Sequence, residues 1–125
     1  MTTYFVSGHL DLTLDEFREH YAPRITAALS EDPDSAFVVG DARGCDLMVQ
    51  MWLRDARTLR VQVFHMLEKP RNNVGGFPTI GGFATDADRD AAMTAASDAD
   101  IAWVRPGRTN SGTAANLARR YFEKT

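Results

Sequence analysis

Three short apolar runs in this chain each lead into a turn that carries glycine. They are Thr3 to Gly8 (TYFVSG), Ala36 to Gly40 (AFVVG), and Asp100 to Val104 (DIAWV), which continues into RPGRTNSG. The segments between them place apolar residues at spacings of three and four. Short apolar runs alternating with helical-period segments predict buried strands separated by helices, and hence parallel pairing. The strongest helical signal follows the first strand. Thr13 and Glu16 form a capping box, and Leu14, Phe17, Tyr21, Ile25 and Ala28 follow at helical spacing, with Pro23 bending or dividing the helix.

After AFVVG, the residues Leu47, Met48, Met51 and Trp52 predict the apolar stripe of a second helix, and Arg60 to Leu67 (RVQVFHML) alternates as a third strand. Glu68 to Phe83, with four glycines and two prolines, reads as a loop. Thr85 and Asp88 resemble a second cap and open a helix from Asp86 that ends before DIAWV, the fourth strand. Ala114, Leu117, Ala118, Tyr121 and Phe122 mark a last helix. The expectation is a three-layer α/β sandwich with a mainly parallel sheet in the order 3-2-1-4; spacing alone also admits 2-1-3-4.

At 125 residues, 44% of them hydrophobic, residues 1–125 have the size of one domain with one core. A formal net charge of -3 argues against duplex nucleic acid and anionic membranes as partners. Cys45 is the single cysteine, the opening MTTYFVSGHL lacks the basic and apolar segments of a signal peptide, and no run is long enough to span a bilayer. A cytoplasmic protein is expected.

In parallel sheets, ligands lie beyond the carboxyl ends of the strands, where the strand order reverses. The order 3-2-1-4 gathers three glycine turns there: SGHLD with Ser7 and Gly8, GDARGCD from Gly40 to Asp46, and RPGRTNSGT ending at Thr113. Glycine admits backbone N–H groups close to an anion, and the following helix N-terminus adds oriented donors. Asn110, Ser111 and Thr113 supply neutral donors around Gly112, which suits a phosphate. Arg43, between Gly40 and Gly44, is placed to clamp a phosphate or simply to occupy an exposed turn. The Walker lysine and the three-glycine dinucleotide fingerprint are both absent, so neither ATP hydrolysis nor a nicotinamide cofactor is expected.

GDARGCD after the second strand, DADRDAAMTAASDADIAWV leading into the fourth, and NSGTAANLARR near the end resemble the SLOG superfamily of Rossmann-like nucleotide-binding proteins. Its relatives include DNA-processing protein A, the cytokinin-activating phosphoribohydrolases and, more distantly, the nucleoside deoxyribosyltransferases. The resemblance runs from the first strand to the last helix and implies a nucleotide pocket lined by Gly40, Ala42, Gly44 and Asp46, and by Ser111, Gly112 and Thr113. The hydrolytic branches carry a glutamate soon after the Gly-Thr pair. This chain reads Gly112-Thr113-Ala114-Ala115-Asn116, and an amide cannot act as nucleophile or base.

Asp46 lies in the first turn of its helix, where a carboxylate serves either the helix dipole or a ribose hydroxyl. Asp41 sits in the same turn. His9 at the tip of the first strand is a candidate acid or base, whereas His20 and His65 read as structural. Arg89 and Asp90 belong to a helix whose one large apolar residue is Met93, so its polar first turn is a candidate pocket wall. No His or Cys pair has metal-ligand spacing. The 68–83 loop, with Phe77 and Phe83, is either a base-stacking lid or a disordered excursion.

Three functions follow. One is a module that binds or senses a nucleotide or a nucleotide-derived, phosphate-containing small molecule. Another is an N-glycosidase or deoxyribosyltransferase-like enzyme using Asp46, Asp90 or His9. The third is a partner-binding protein with a vestigial pocket. The alanine-rich third helix and the Trp52 face also suggest self-association into a homo-oligomer.

Overall fold

The computed structural model describes residues 1–124, and among them five parallel strands form one sheet between two helical layers. The strands are β1 (Thr3–Ser7), β2 (Ala36–Gly40), β3 (Val61–Met66), β4 (Thr79–Phe83) and β5 (Ala99–Ala102). The helices are α1 (Leu14–His20), α2 (Ala22–Glu31), α3 (Cys45–Asp55), α4 (Asp86–Ala95) and α5 (Gly112–Lys124). The sheet order is β4-β3-β2-β1-β5. The four strands legible in the sequence therefore stand as 3-2-1-4, and 2-1-3-4 is excluded.

The correction is β4, which lies inside the segment expected to be a loop. Its glycines carry little strand propensity, and it forms because β3 offers it an unpaired edge. Val63 N–H donates to the Pro78 carbonyl at 2.9 Å, and Leu67 N–H to that of Phe83 at 3.0 Å. Phe77 packs on the core beneath α1 to α3, and Phe83 stacks on Phe64 with ring centres 6.0 Å apart. Neither aromatic lines the cleft described below.

Alternation along each strand divides the core. Val6, Phe37, Val39, Val61, Val63 and Ile101 point to the α1–α3 side, and Phe5, Val38 and Phe64 point to Met93 of α4 on the other. Pro23 divides the first helical segment in two: α1 closes at Tyr21, which also precedes α2, where the proline occupies the first turn. The capping box of Thr13 and Glu16 forms in both directions, at 3.1 and 2.9 Å.

Two apolar stripes differ from expectation. On α3 the buried residues are Cys45, Val49 and Leu53 together with Asp46 and Gln50, while Met51 and Trp52 are more than a third exposed. On α5 the residues turned inward are Thr113, Asn116 and Arg120, while Tyr121 and Phe122 are exposed. In both helices polar side chains with fixed partners occupy the inner face. Arg120 donates to both carboxylate oxygens of Asp100, at 3.2 and 3.1 Å, and to the carbonyls of Thr94 and Ser97.

Among the described residues no helix is long and apolar enough to cross a membrane.

Candidate functional site

The strand order reverses at β1, which pairs with β2 on one side and β5 on the other. The connections after β1, β2 and β5 consequently converge at the carboxyl edge of the sheet. A cleft of about 460 Å³ opens there, floored by Phe5, Ser7 and Met93 and walled by Asp46, Arg89 and Asp90. Opposite this wall stands the start of α5, with Gly112, Thr113 and Asn116.

Ser7, Gly8, His9, Ala42, Arg43, Asp46, Arg89, Asp90, Gly112 and Thr113, all singled out from sequence, line this cleft. Gly40, Asp41, Gly44, Asn110 and Ser111 do not. Four of these five support the site from behind. A Cβ on Gly40 would overlap Asp46 Oδ2 and lie 3.2 Å from Arg89 Cζ, so the missing side chain makes room for both groups. Gly44 holds φ +73°, and a Cβ there would overlap the Leu10 carbonyl. Its smallness therefore serves the contact between the β2–α3 turn and the loop after β1. Ser111 Oγ caps α5 by accepting from Ala114 N–H at 3.1 Å, and Asn110 is exposed in the preceding turn.

Asp41 turns away from the cleft and ties it together. Its carboxylate accepts Arg89 Nη1 at 2.8 Å, Arg71 Nη2 and Nε at 2.8 and 3.2 Å, and the Arg71 backbone N–H at 2.8 Å. Burial opposes the charge on Asp41, but hydrogen bonds from Arg71 hold it below the ordinary carboxylate range. Arg89 also donates to Asp90 Oδ1 from Nε and Nη2, at 3.2 and 3.1 Å.

Asp46 has a different environment. It is 8% exposed, and its one hydrogen bond among the described residues comes from Ala42 N–H at 3.1 Å. Burial raises its carboxyl to about 7, the charges of Asp90 and Asp41 push the same way, and Arg89 opposes them. Cys45, beside it, is buried and its thiol is pushed up by that burial, so it is no nucleophile.

His9 is constrained. Its Nε2 accepts Arg105 N–H at 2.8 Å, which places the ring proton on Nδ1, and burial followed by the Arg105 charge lowers its proton affinity. It holds the β5–α5 connection against the β1–α1 loop. His20 stacks on Trp103 at 3.9 Å, and His65 Nδ1 lies 3.0 Å from the Met66 carbonyl.

At the start of α5 Ser111 takes Ala114 N–H on its Oγ and Ala115 N–H on its carbonyl, so Gly112 and Thr113 carry the N–H groups that the helix itself does not bond, and Gly112 has open space where a side chain would stand. Asn116, one turn on, accepts Arg119 Nη1 through Oδ1 at 2.7 Å, which leaves its amide NH₂ as the group available to the cleft. On the floor the Ser7 hydroxyl is buried and has no hydrogen-bond partner among the described residues.

The sequence reading passed over Asp11 and Arg108, which pair at 2.6 Å at the cleft mouth. Their signal was positional: one follows the glycine turn of β1 and the other lies in that of β5. Arg71 and Asp86 join them at the rim through an ion pair of 3.2 Å. Among the described residues no group of three or more His, Cys, Asp or Glu is arranged to hold a metal ion. No protein-family model, curated protein or solved structure matches the chain.

Proposed function

We propose that the cleft binds a nucleotide or a nucleotide-derived phosphate ester, and that the chain is a SLOG-type binding or sensing domain. One observation carries this reading: the open N-terminus of α5 at Gly112 faces the carboxyl groups of Asp46 and Asp90 across a single cleft. Oriented N–H groups with the helix dipole suit a phosphate, and Asp46 and Asp90 suit sugar hydroxyls. Ser7 and Asn116 add neutral donors between the two ends. Arg43, exposed on the rim, supplies a cation that closes over the anion. A volume of about 460 Å³ suits one nucleotide.

Calorimetric titration of a panel of nucleoside monophosphates into the wild type and a Gly112→Val variant tests the reading. Binding by the wild type and its loss in the variant support it. Equal affinities, or no binding by the wild type, overturn it.

A second reading, cleavage or transfer of the base–sugar bond, is favoured by the contrast between two neighbouring carboxyl groups. Asp90 accepts two N–H groups of Arg89, while Asp46 has a single backbone donor and a carboxyl raised by burial to about 7, an arrangement suited to divided acid and base roles. Chromatographic detection of free base separates this reading from the first.

A further inference from the structure

Four carboxyl groups face the cleft, Asp11, Asp46, Asp86 and Asp90, and a phosphate ester entering it adds further negative charge. Three of the four are already met by guanidinium groups. Asp90 accepts two N–H groups of Arg89. Asp86 accepts Arg71 Nη2 at 3.2 Å and lies 3.4 Å from Arg89 Nη1, and Asp11 pairs with Arg105 and Arg108 at 3.1 and 2.6 Å. Asp46 alone among them is buried with a single backbone donor, because the nearby Arg89 directs its hydrogen bonds to Asp41 and Asp90. A buried carboxylate so poorly compensated is the group on which a proton relieves most electrostatic cost.

We propose that Asp46 takes up a proton from solvent as an anionic nucleotide enters the cleft, and that the resulting carboxyl donates a hydrogen bond to the ligand. The inference rests on the nucleotide reading above and adds to it a dependence on pH.

The groups around Asp46 support this choice of site. Asp41 lies on the β2–α3 turn with Arg71 of the β3–β4 connection behind it, and Arg89, Asp86 and Asp90 lie on α4. Cys45 is its neighbour on α3, and His9, Arg108 and the α5 N-terminus stand across the cleft. Asp41 and Asp90 favour the proton and Arg89 disfavours it. Burial already brings Asp46 to about 7, so an added anion need shift it little to complete protonation near neutral pH. His9 cannot take the proton in its place, since Nε2 is engaged by Arg105 N–H.

The test is AMP titration of the wild type and Asp46→Asn at pH 6 and pH 8. The asparagine can still accept from Ala42 N–H. The AMP phosphate titrates near about 6, which affects both proteins alike. If only the protonated cleft binds, wild-type affinity falls about tenfold more than that of the variant between the two pH values. Equal pH dependence in the two proteins overturns proton coupling while leaving nucleotide binding intact. No binding by the wild type at either pH overturns the nucleotide reading and the coupling with it. Should the variant not fold, carboxyl ¹³C resonances of the wild type give the Asp46 midpoint directly. A rise on saturation with AMP supports the proposal, and an unchanged or lower midpoint overturns it.

Discussion

Arg89 Nη1 lies 2.8 Å from Asp41 Oδ1, a contact that spans 48 positions of sequence and fastens the first turn of α4 to the turn after β2. The Asp41 side chain is 1% exposed and that of Arg89 7%. Removing one partner of such a pair leaves a buried charge with less compensation, at a cost of about 3–5 kcal/mol. Asp41→Ala is therefore expected to lower unfolding free energy by that order, and Arg89→Met by less, since Arg71 still neutralises Asp41. Urea denaturation checks both, and a change under 1 kcal/mol in Asp41→Ala would remove the pair from the account of how the site is built.

Gly44 and Gly112 should respond in opposite ways to substitution. Gly44→Ala forces a side chain into a left-handed backbone conformation and onto the Leu10 carbonyl, so a loss of at least about 1–3 kcal/mol in stability is expected. Gly112→Val meets open space and should melt like the wild type while losing AMP binding. Thermal melts together with calorimetry distinguish the two; a Gly112→Val variant that binds normally places the ligand elsewhere.

Asp46 also predicts how stability varies with pH. Its folded carboxyl titrates at about 7, against an ordinary value of 3.8. Between those values the folded protein holds a proton that the unfolded chain has released. Stability from this group is therefore present in full below the unfolded value and lost as pH rises through the folded one. Asp46→Asn should match the wild type near pH 4 and exceed it by up to about 4 kcal/mol at pH 8. Denaturant titrations across that range measure the difference, and a constant difference at all pH values contradicts the assignment.

Gln50 ties the segment after β3 to the end of β2 through three contacts. It donates to the carbonyls of Gly40 and Asn72, at 2.9 and 3.1 Å, and accepts Val74 N–H at 3.1 Å. Gln50→Leu strips the partner from the buried Gly40 carbonyl, at about 1–3 kcal/mol if it is left unsatisfied, and releases the half-buried contacts to Asn72 and Val74. Faster amide exchange at Val74, with β1 and β2 unchanged, is the expected signature. The wild-type segment should exchange slowly without any ligand, in contrast to a free loop.

For chemistry, the wild type is expected to release no base from AMP above the buffer rate, because Asn116 on the α5 wall offers an amide, which cannot act as nucleophile or base. Asn116→Glu should bring measurable release, with Arg119 holding the new carboxylate as it now holds the amide oxygen. Rapid release by the wild type, abolished by Asp46→Asn or Asp90→Asn, would place the protein among the hydrolases.

The sequence by itself determined the alternation of strands and helices, the caps at Thr13 and Thr85, and the break near Pro23. These follow from local rules of apolar period, capping oxygen and proline geometry, each contained within a few neighbouring residues. Tertiary structure alone decided what depended on distant partners. Thr79 to Phe83 pairs as a strand because β3 presents an open edge, a fact absent from its own glycine-rich composition. Met51 and Trp52 yielded the inner face of α3 to Asp46 and Gln50, and Tyr121 and Phe122 that of α5 to Asn116 and Arg120, because polar groups with fixed partners can occupy positions that an apolar count reserves for hydrophobes. Asp41 in the β2–α3 turn and Asp46 in the first turn of α3 are five residues apart, with identical side chains. Arg71 and Arg89, arriving from later in the chain, make one a firmly charged tie, while burial with a single backbone donor raises the other's carboxyl to about 7 and leaves it open to the cleft.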